Sequence, residues 1–212
     1  MRGKNQIFML NTILEFIILL PIFLFAVIIH EIAHGWVAYK LGDPTARDLG
    51  RLTLNPVRHL DIFGSILLPL VLILINSPAV FGWAKPVPIN FLNFKNIRRD
   101  IILVSIAGCL VNFLAAVITA SIIRLDMLGS FLNAILLQFV LLNLVLGIFN
   151  LIPLPPLDGS KILLSVLPKN LMRLYLLMEP FGIVVIFILL SVGFFDKFIF
   201  PAMYYLLKLL VG

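Results

Sequence analysis

Long apolar runs constrain this chain more than any other feature, because each must be buried in lipid or in protein. A helix needs about 20 apolar residues to cross the roughly 30 Å hydrocarbon layer of a bilayer. With 62% hydrophobic and only 12% charged residues, the chain differs from water-soluble domains, and we predict an all-α polytopic membrane protein. The apolar runs are residues 14–29, 62–80, 101–123, 132–152 and 181–195, with a shorter run at 198–211.

Composition also excludes several other classes of protein. The single cysteine excludes a disulfide framework and a cysteine zinc cage. The net charge of +6 comes without a basic stripe or an aromatic RNA-binding motif, so the expected partner is the lipid bilayer and no nucleic acid is expected. The longest polar stretches, 40–61 and 81–100, are too short for a soluble domain, so we predict one membrane domain over 1–212. Its predicted helices are about 12–41, 101–123, 132–159, 181–195 and 198–211.

The segment VIIHEIAHGWVAY, residues 27–39, places three ionisable side chains at the end of an apolar run. His30 and His34 are four residues apart, so on a helix they lie on one face and can bind one metal ion. Neutral imidazoles suit zinc, and the carboxylate of Glu31 can accept a proton from an attacking water molecule. Ionisable groups in membrane spans are costly and usually functional; polar contacts between packed helices are the alternative.

A third ligand is required, because a catalytic zinc typically has three protein ligands and one open position. Asp158 is the preferred candidate, since it follows three prolines in NLIPLPPLDGSKIL, residues 150–163, that interrupt the last long helix. Irregular backbone at membrane depth is tolerated only where it is buried in protein or lines a cavity. The alternative is that Asp158 caps a helix that begins at Gly159. His59 is a weaker candidate, because a solvated or interfacial histidine is expected in the polar stretch RLTLNPVRHLD.

Asparagines in the apolar helices form a further group of candidates: Asn112, Asn143 and Asn150. Amides in membrane helices usually link neighbouring helices through hydrogen bonds. For Asn112 and Asn150 the functional alternative is donation to the oxyanion that forms when water attacks a peptide carbonyl. One residue can do both, because a packed amide is also an oriented one.

Four motifs, in this order, resemble the site-2 protease family of intramembrane zinc metalloproteases, in its short form without an appended soluble domain. They read HEIAHG, DPTARDLGRLTLNP, FGWAKPVPIN and NLIPLPPLDG. A further family motif, commonly AGP with an asparagine after it, reads AGCLVN at residues 107–112, with a cysteine in place of the proline. This difference concerns the local helix bend and leaves the ligands intact.

The resemblance implies a zinc-dependent endopeptidase that hydrolyses a peptide bond in or near the transmembrane segment of a membrane protein. It implies that His30, His34 and Asp158 bind one zinc ion per chain and that Glu31 activates water. A proteolytically idle membrane scaffold and a metal transporter are the alternatives. A transporter would not need Glu31, and transport sites tend to recur in related halves, which this sequence lacks.

The two halves of the site must meet at one ion, which limits how many apolar runs cross the membrane. If every run crossed, Asp158 would lie at the opposite face from His34. We therefore predict that 62–80 is re-entrant, with a core of three transmembrane helices, accessory helices and short extended stretches at the membrane. Eleven of the 16 Lys and Arg residues then lie on the face that holds 40–61, 81–100 and 159–179. Because cytoplasmic loops attract Lys and Arg, we predict a cell-membrane protein whose active site opens toward the cytoplasm.

Overall fold

Helices make up almost all of the regular structure. The structure, a computed structural model, describes the backbone of residues 2–75 and 82–212, with side chains from residue 17 onward in that part. Among these residues there is no β-strand. The helices are α1 (Arg2–Lys40), α2 (Thr45–Asp48), α3 (Leu68–Leu74), α4 (Ile97–Arg124), α5 (Gly129–Asn150), α6 (Asp158–Val166), α7 (Lys169–Met178), α8 (Gly182–Ser191) and α9 (Phe200–Val211).

Four helical stretches are long and apolar enough to cross a membrane. They contain 22 to 28 residues, which corresponds to about 33 to 42 Å at the rise of an α-helix. The prediction of an all-α polytopic membrane protein is therefore confirmed. The four stretches are Ile17–Lys40, Ile97–Arg124, Gly129–Asn150 and Lys169–Ser191.

The last of these stretches begins earlier than the predicted helix 181–195. In the sequence, Glu179 and Pro180 resemble the start of a new helix. In the structure they form one 3-10 turn, Glu179–Phe181, that joins α7 directly to α8. Pro180 lies in the first turn of this 3-10 segment, where its missing N–H would have no partner within the segment, and α8 follows directly. The candidate membrane-spanning stretch therefore begins at Lys169 and ends at Ser191.

The central helix of the bundle is α4, which packs against α1, α5, α6 and α9. Toward its C-terminal end it contributes small residues to a buried apolar cluster. Alanine lets helix backbones approach closely, which matters in lipid because helices gain little from the hydrophobic effect there. The N-terminal half of α4 instead meets the polar side chains of α1. The buried cluster consists of Ala116 and Ala120 on α4, Val140 and Leu144 on α5, and Met203 on α9.

The apolar run at 62–80 begins with a short helical segment. Its helical part, Ile62–Leu74, is only about 20 Å long, too short to cross the hydrocarbon layer. Residues 76–81 lie outside the described part. The chain then returns to where it left, because the N–H of Trp83 donates to the carbonyl of Gly64 at 3.1 Å. Gly64 and Trp83, which lie on either side of the undescribed residues, are therefore neighbours, and the re-entrant course of 62–80 stays a prediction.

Asp43 connects the loop after α1 with the loop before α4. Its side chain is fully buried. Oδ1 accepts hydrogen bonds from the Thr45 backbone N–H at 3.1 Å and from Nδ2 of Asn93 at 2.7 Å, and Oδ2 accepts one from the Asn90 N–H at 2.8 Å. Burial alone would raise the pKa of Asp43, but a hydrogen bond from the Thr45 hydroxyl and the three bonds above outweigh it and hold the pKa below its ordinary value.

Replacing Asp43 tests this connection. We expect Asp43→Asn to destabilise the protein by about 2 kcal/mol, because the new amide nitrogen faces N–H donors and leaves one unpaired. Since the folded-state pKa is lowered, the carboxylate stabilises the fold above the unfolded-state pKa of about 3.9, and this stabilisation is lost as the pH falls through the folded-state value. Thermal unfolding in detergent at pH 7 and pH 3 should show a smaller acid loss for the variant. Equal acid losses would contradict the assignment.

Candidate metal centre

Two histidines on α1 and one aspartate on α6 form a buried cluster. The Nε2 atoms of His30 and His34, one helical turn apart, lie 2.9 Å from each other. Oδ2 of Asp158 lies 3.1 Å from Nε2 of His30 and 2.9 Å from Nε2 of His34. All three side chains belong to residues that are at most 5% exposed. The structure therefore brings together the three residues that the sequence nominated as ligands.

Asp158 reaches this cluster because the chain breaks between α5 and α6. Three prolines follow the end of α5 at Asn150. Gly159 lies so close to the carbonyl oxygens of Leu151 and Ile152 that a Cβ atom would not fit. This contact turns the chain so that α6 begins at Asp158, and no side chain caps that helix. The alternative of a capping role for Asp158 therefore does not hold.

The second nitrogen of each ring fixes the tautomer of both histidines. Nδ1 of His30 lies 2.5 Å from Oδ1 of Asn112, and Nδ1 of His34 lies 2.7 Å from the carbonyl oxygen of Val104. Both partners are acceptors, so each Nδ1 carries the proton and each Nε2 presents a lone pair. When both imidazoles are neutral, these two lone pairs face the carboxylate of Asp158. Such a donor set fits a divalent cation such as zinc.

The amide of Asn112 is oriented by other helices. Its Nδ2 donates to the carbonyl of Ala26 at 3.2 Å and to Oδ1 of Asn143 at 2.6 Å. Nδ2 of Asn143 in turn donates to the carbonyl of Phe139 at 2.8 Å. Both asparagines are fully buried, so this chain of amides links α1, α4 and α5 and leaves Oδ1 of Asn112 directed at His30.

Asn150 is not joined to the cluster by any hydrogen bond within the described residues. Its Nδ2 donates to the carbonyl of Leu146 in its own helix at 3.0 Å. The side chain is half-buried. Of the two predicted asparagines, the structure therefore brings only Asn112 into contact with a candidate ligand.

A lysine that the sequence analysis missed contacts the carboxylate from its other side. Nζ of Lys161 lies 2.8 Å from Oδ1 of Asp158, whereas Oδ2 faces the histidines. The pair is three residues apart on α6, a spacing at which helical side chains meet. This spacing is the sequence feature that could have indicated the ion pair. The ion pair balances the charge of Asp158 and leaves one oxygen for a metal ion.

Gly108 is a second missed residue, and it lies directly against both imidazoles. A Cβ atom built there would be 2.7 Å from Cε1 of His30 and closer still to the ring of His34. The sequence signal is a glycine one turn before Asn112 in an apolar helix, a place where small residues permit close helix contact. The absence of a side chain therefore lets α4 approach the candidate ligands.

Glu31, the candidate base, is half-buried and follows the first histidine on α1. Its Oε2 accepts a hydrogen bond of 2.7 Å from the backbone N–H of Val87. Val87 belongs to residues 82–90, which lack regular secondary structure. The carboxylate is therefore held by residues 82–90, a contact that no local sequence pattern indicates.

His59 differs from its expectation. Its polar neighbours in sequence predict a solvated or interfacial histidine, but this residue is fully buried. Its Nε2 lies 2.8 Å from the carbonyl oxygen of Thr53, and its own carbonyl accepts the N–H of Lys85 at 2.9 Å. The expectation was wrong because the polar loops fold over one another. His59 is not part of the cluster of candidate ligands.

A glutamate beside a cluster of two histidines and a carboxylate is typical of metallopeptidases, and its place among apolar helices narrows this class to membrane-embedded members. Comparison with known proteins agrees, since the family model described as Peptidase family M50 matches residues 121–192. The chain belongs to peptidase family M50, the site-2 protease family of metalloendopeptidases. No solved structure matches it significantly.

Curated relatives cover most of the chain. "Putative zinc metalloprotease YwhC" of Bacillus subtilis is 43% identical over 169 residues, which are 76% of this chain and 74% of the relative. "Putative zinc metalloprotease Rip2" of Mycobacterium tuberculosis is 29% identical over 196 residues, which are 92% of this chain and 74% of the relative. The protein of the same name in Mycolicibacterium smegmatis is 24% identical over 192 residues, which are 90% of this chain and 73% of that relative.

Adding one methyl group at Gly108 tests the geometry of the cluster. We expect Gly108→Ala to lower the affinity for a divalent metal ion about tenfold or more, the usual effect of disturbing the groups that orient metal ligands. Competition with a chelator measures the affinity. Gly147→Ala is the matched control, because it adds the same methyl group 2.9 Å from the Phe113 ring without touching the histidines. Equal affinities in the two variants would contradict this role of Gly108.

Proposed function

We propose that this chain is a zinc-dependent intramembrane endopeptidase that hydrolyses a peptide bond in or near the transmembrane segment of a membrane protein. The observation that carries the proposal is the convergence of three acceptor atoms, from His30, His34 and Asp158, at a buried position among membrane-spanning helices. The names of the relatives add support, since they describe zinc metalloproteases. The substrate then reaches the enzyme through the bilayer that both occupy.

In this proposal the residues of the cluster and its neighbours bind the metal ion, transfer the proton and orient the ligands. His30 and His34 bind zinc through Nε2, and Asp158 through Oδ2. Zinc, when bound, supplies a Lewis acid that makes water nucleophilic near neutral pH and polarises a carbonyl group. Glu31 accepts the proton of the attacking water and later delivers it to the leaving amine. Lys161 holds the remaining oxygen of Asp158 and limits that carboxylate to one ligand atom.

The two asparagines take different roles. Both hydrogens of the Asn112 amide are donated within the protein, to the carbonyl of Ala26 and to Asn143. We therefore assign Asn112 to orienting His30 and linking helices. Asn150 donates one hydrogen to its own helix and keeps one, so it is the better candidate donor to the oxyanion of the substrate.

Glu31→Gln separates this function from its alternatives. We expect the variant to keep its zinc content while cleavage of single-span peptides falls at least about 100-fold, because the amide cannot accept a proton. His34→Ala should lose zinc and cleavage together. Metal analysis of the purified proteins and mass spectrometry of the products measure both quantities. A metal transporter would bind zinc and cleave neither as the parent protein nor as Glu31→Gln, and an idle scaffold would also show no cleavage in either protein. Cleavage by Glu31→Gln would refute the role of Glu31 as the base.

The orientation of the site is a separate part of the proposal. The clustering of Lys and Arg on the face with residues 40–61, 81–100 and 159–179 supports a site that opens toward the cytoplasm of a cell membrane. We expect a reporter at the N-terminus to be found outside and one within residues 85–99 to be found inside. A reporter at Asp126, between α4 and α5, is the control and should be outside. The reverse pattern would overturn the orientation.

A further inference from the structure

The segment Pro86-Val87-Pro88 presents a single backbone donor to the candidate base. Proline has no N–H and a fixed φ angle, so between Pro86 and Pro88 only Val87 can donate. That N–H is the one that binds Oε2 of Glu31 at 2.7 Å. The residue before a proline is also restricted to extended backbone. The sequence therefore combines a stiff backbone with one donor, at the position where the carboxylate lies.

The same peptide unit is held at its other end by a buried arginine. Nη2 of Arg51 donates to the carbonyl of Lys85 at 2.8 Å and to the carbonyl of Pro86 at 3.3 Å. The Pro86 carbonyl and the Val87 N–H belong to one planar peptide group. Arg51 thus binds the oxygen of this group, and Glu31 binds its N–H. A positive and a negative side chain therefore polarise one peptide from opposite ends, which strengthens both hydrogen bonds.

Arg51 forms no ion pair in the described part of the chain. Its residue is only 7% exposed, no carboxylate there pairs with it, and its Nε has no hydrogen-bond partner. Burying a guanidinium group without a counter-charge is costly. The negative charge that its hydrogen bonds lead to is that of Glu31, because the peptide group between Pro86 and Val87 binds Arg51 through its oxygen and Glu31 through its N–H.

The contact between this peptide and α1 is close. Val87 is 6% exposed, and a Cβ atom on Gly35 would lie 2.8 Å from Cγ1 of Val87. Lys85 is bonded to the carbonyl of His59 at 2.9 Å. The Val87 N–H is therefore fixed relative to α1 by side-chain contact as well as by hydrogen bonds.

We propose that the peptide between Pro86 and Val87, held by Arg51, is a positioning element that fixes the carboxylate of Glu31. It binds Oε2 and so directs Oε1, which has no hydrogen-bond partner among the described residues, toward the water that Glu31 deprotonates. This inference rests on the proposed function of Glu31 as the base. Arg51 acts through Val87 and touches no reacting atom.

Removing only the N–H tests the element. Val87→Pro removes the donor, whereas Val87→Ala shortens the side chain and keeps the donor. We expect kcat of Val87→Pro to fall about tenfold to a hundredfold below that of Val87→Ala, as for one hydrogen bond to a charged group. KM should agree within about twofold and zinc content should be equal, since the interaction acts on the chemical step. Equal kcat values in the two variants would overturn the proposal.

Arg51 provides a second arm that does not depend on how Val87→Pro folds. Arg51→Met should lower kcat about tenfold at unchanged zinc content, and Arg51→Lys should recover part of it because one donor is restored. Arg58→Met is the control, since Arg58 is exposed in the same loop and should leave kcat unchanged. A loss in Arg51→Met no larger than in Arg58→Met would overturn the role of Arg51.

Hydrogen exchange at Val87 separates this inference from the proposed function. Val87 has the only exchangeable backbone amide in residues 86–88, so overlapping proteolytic fragments that end on either side of this segment isolate its exchange. We expect exchange to accelerate about tenfold in Arg51→Met relative to Arg58→Met, whether or not the chain cleaves substrate. If the parent shows no cleavage but exchange responds, the proposed function fails and the structural link stands. If cleavage requires Glu31 but neither exchange nor kcat responds, the positioning element fails alone.

Discussion

Three atoms with lone pairs, about 3 Å from one another and nearly out of reach of water, repel each other unless a cation lies among them. The rest of the fold can be understood from this constraint. Each imidazole must be turned by a partner on its far nitrogen, and α4 provides both, through the Val104 carbonyl and the Asn112 amide. The helix can approach closely enough only because Gly108 has no side chain. The central position of α4 in the bundle is therefore a requirement of the site.

The ligand residues could be predicted from the sequence because their signals are local. A spacing of four residues places His30 and His34 on one helical face whatever surrounds them, and prolines before Asp158 predict a helix break without knowledge of the fold. The condition that these parts meet also predicted that 62–80 turns back. The structure brings the three side chains together and places the Trp83 N–H beside Gly64; metal binding and the re-entrant course of 62–80 stay predictions.

The remaining parts of the site depend on contacts between segments far apart in sequence. Val87 and Glu31 are 56 positions apart, and no local sequence pattern predicts that the backbone N–H of one will contact the carboxylate of the other. His59 was misjudged for the same reason, because a polar neighbourhood in sequence predicts exposure, whereas burial is decided by which loop lies over it. Lys161 and Gly108 had local signals, but these are common in helices and point to no particular partner.

The proline-rich break has a consequence for the order of assembly. Asp158 lies beyond α5, so during synthesis the first two ligands are already in place on α1 while the third has yet to emerge. A partly inserted chain with α1, α4 and α5 therefore has His30 and His34 but lacks Asp158, the third candidate ligand of a three-ligand centre. Hydrolytic competence is postponed until the bundle around it exists. Under the proposed function, the distance along the chain between the candidate ligands keeps a partly synthesised chain from completing its site.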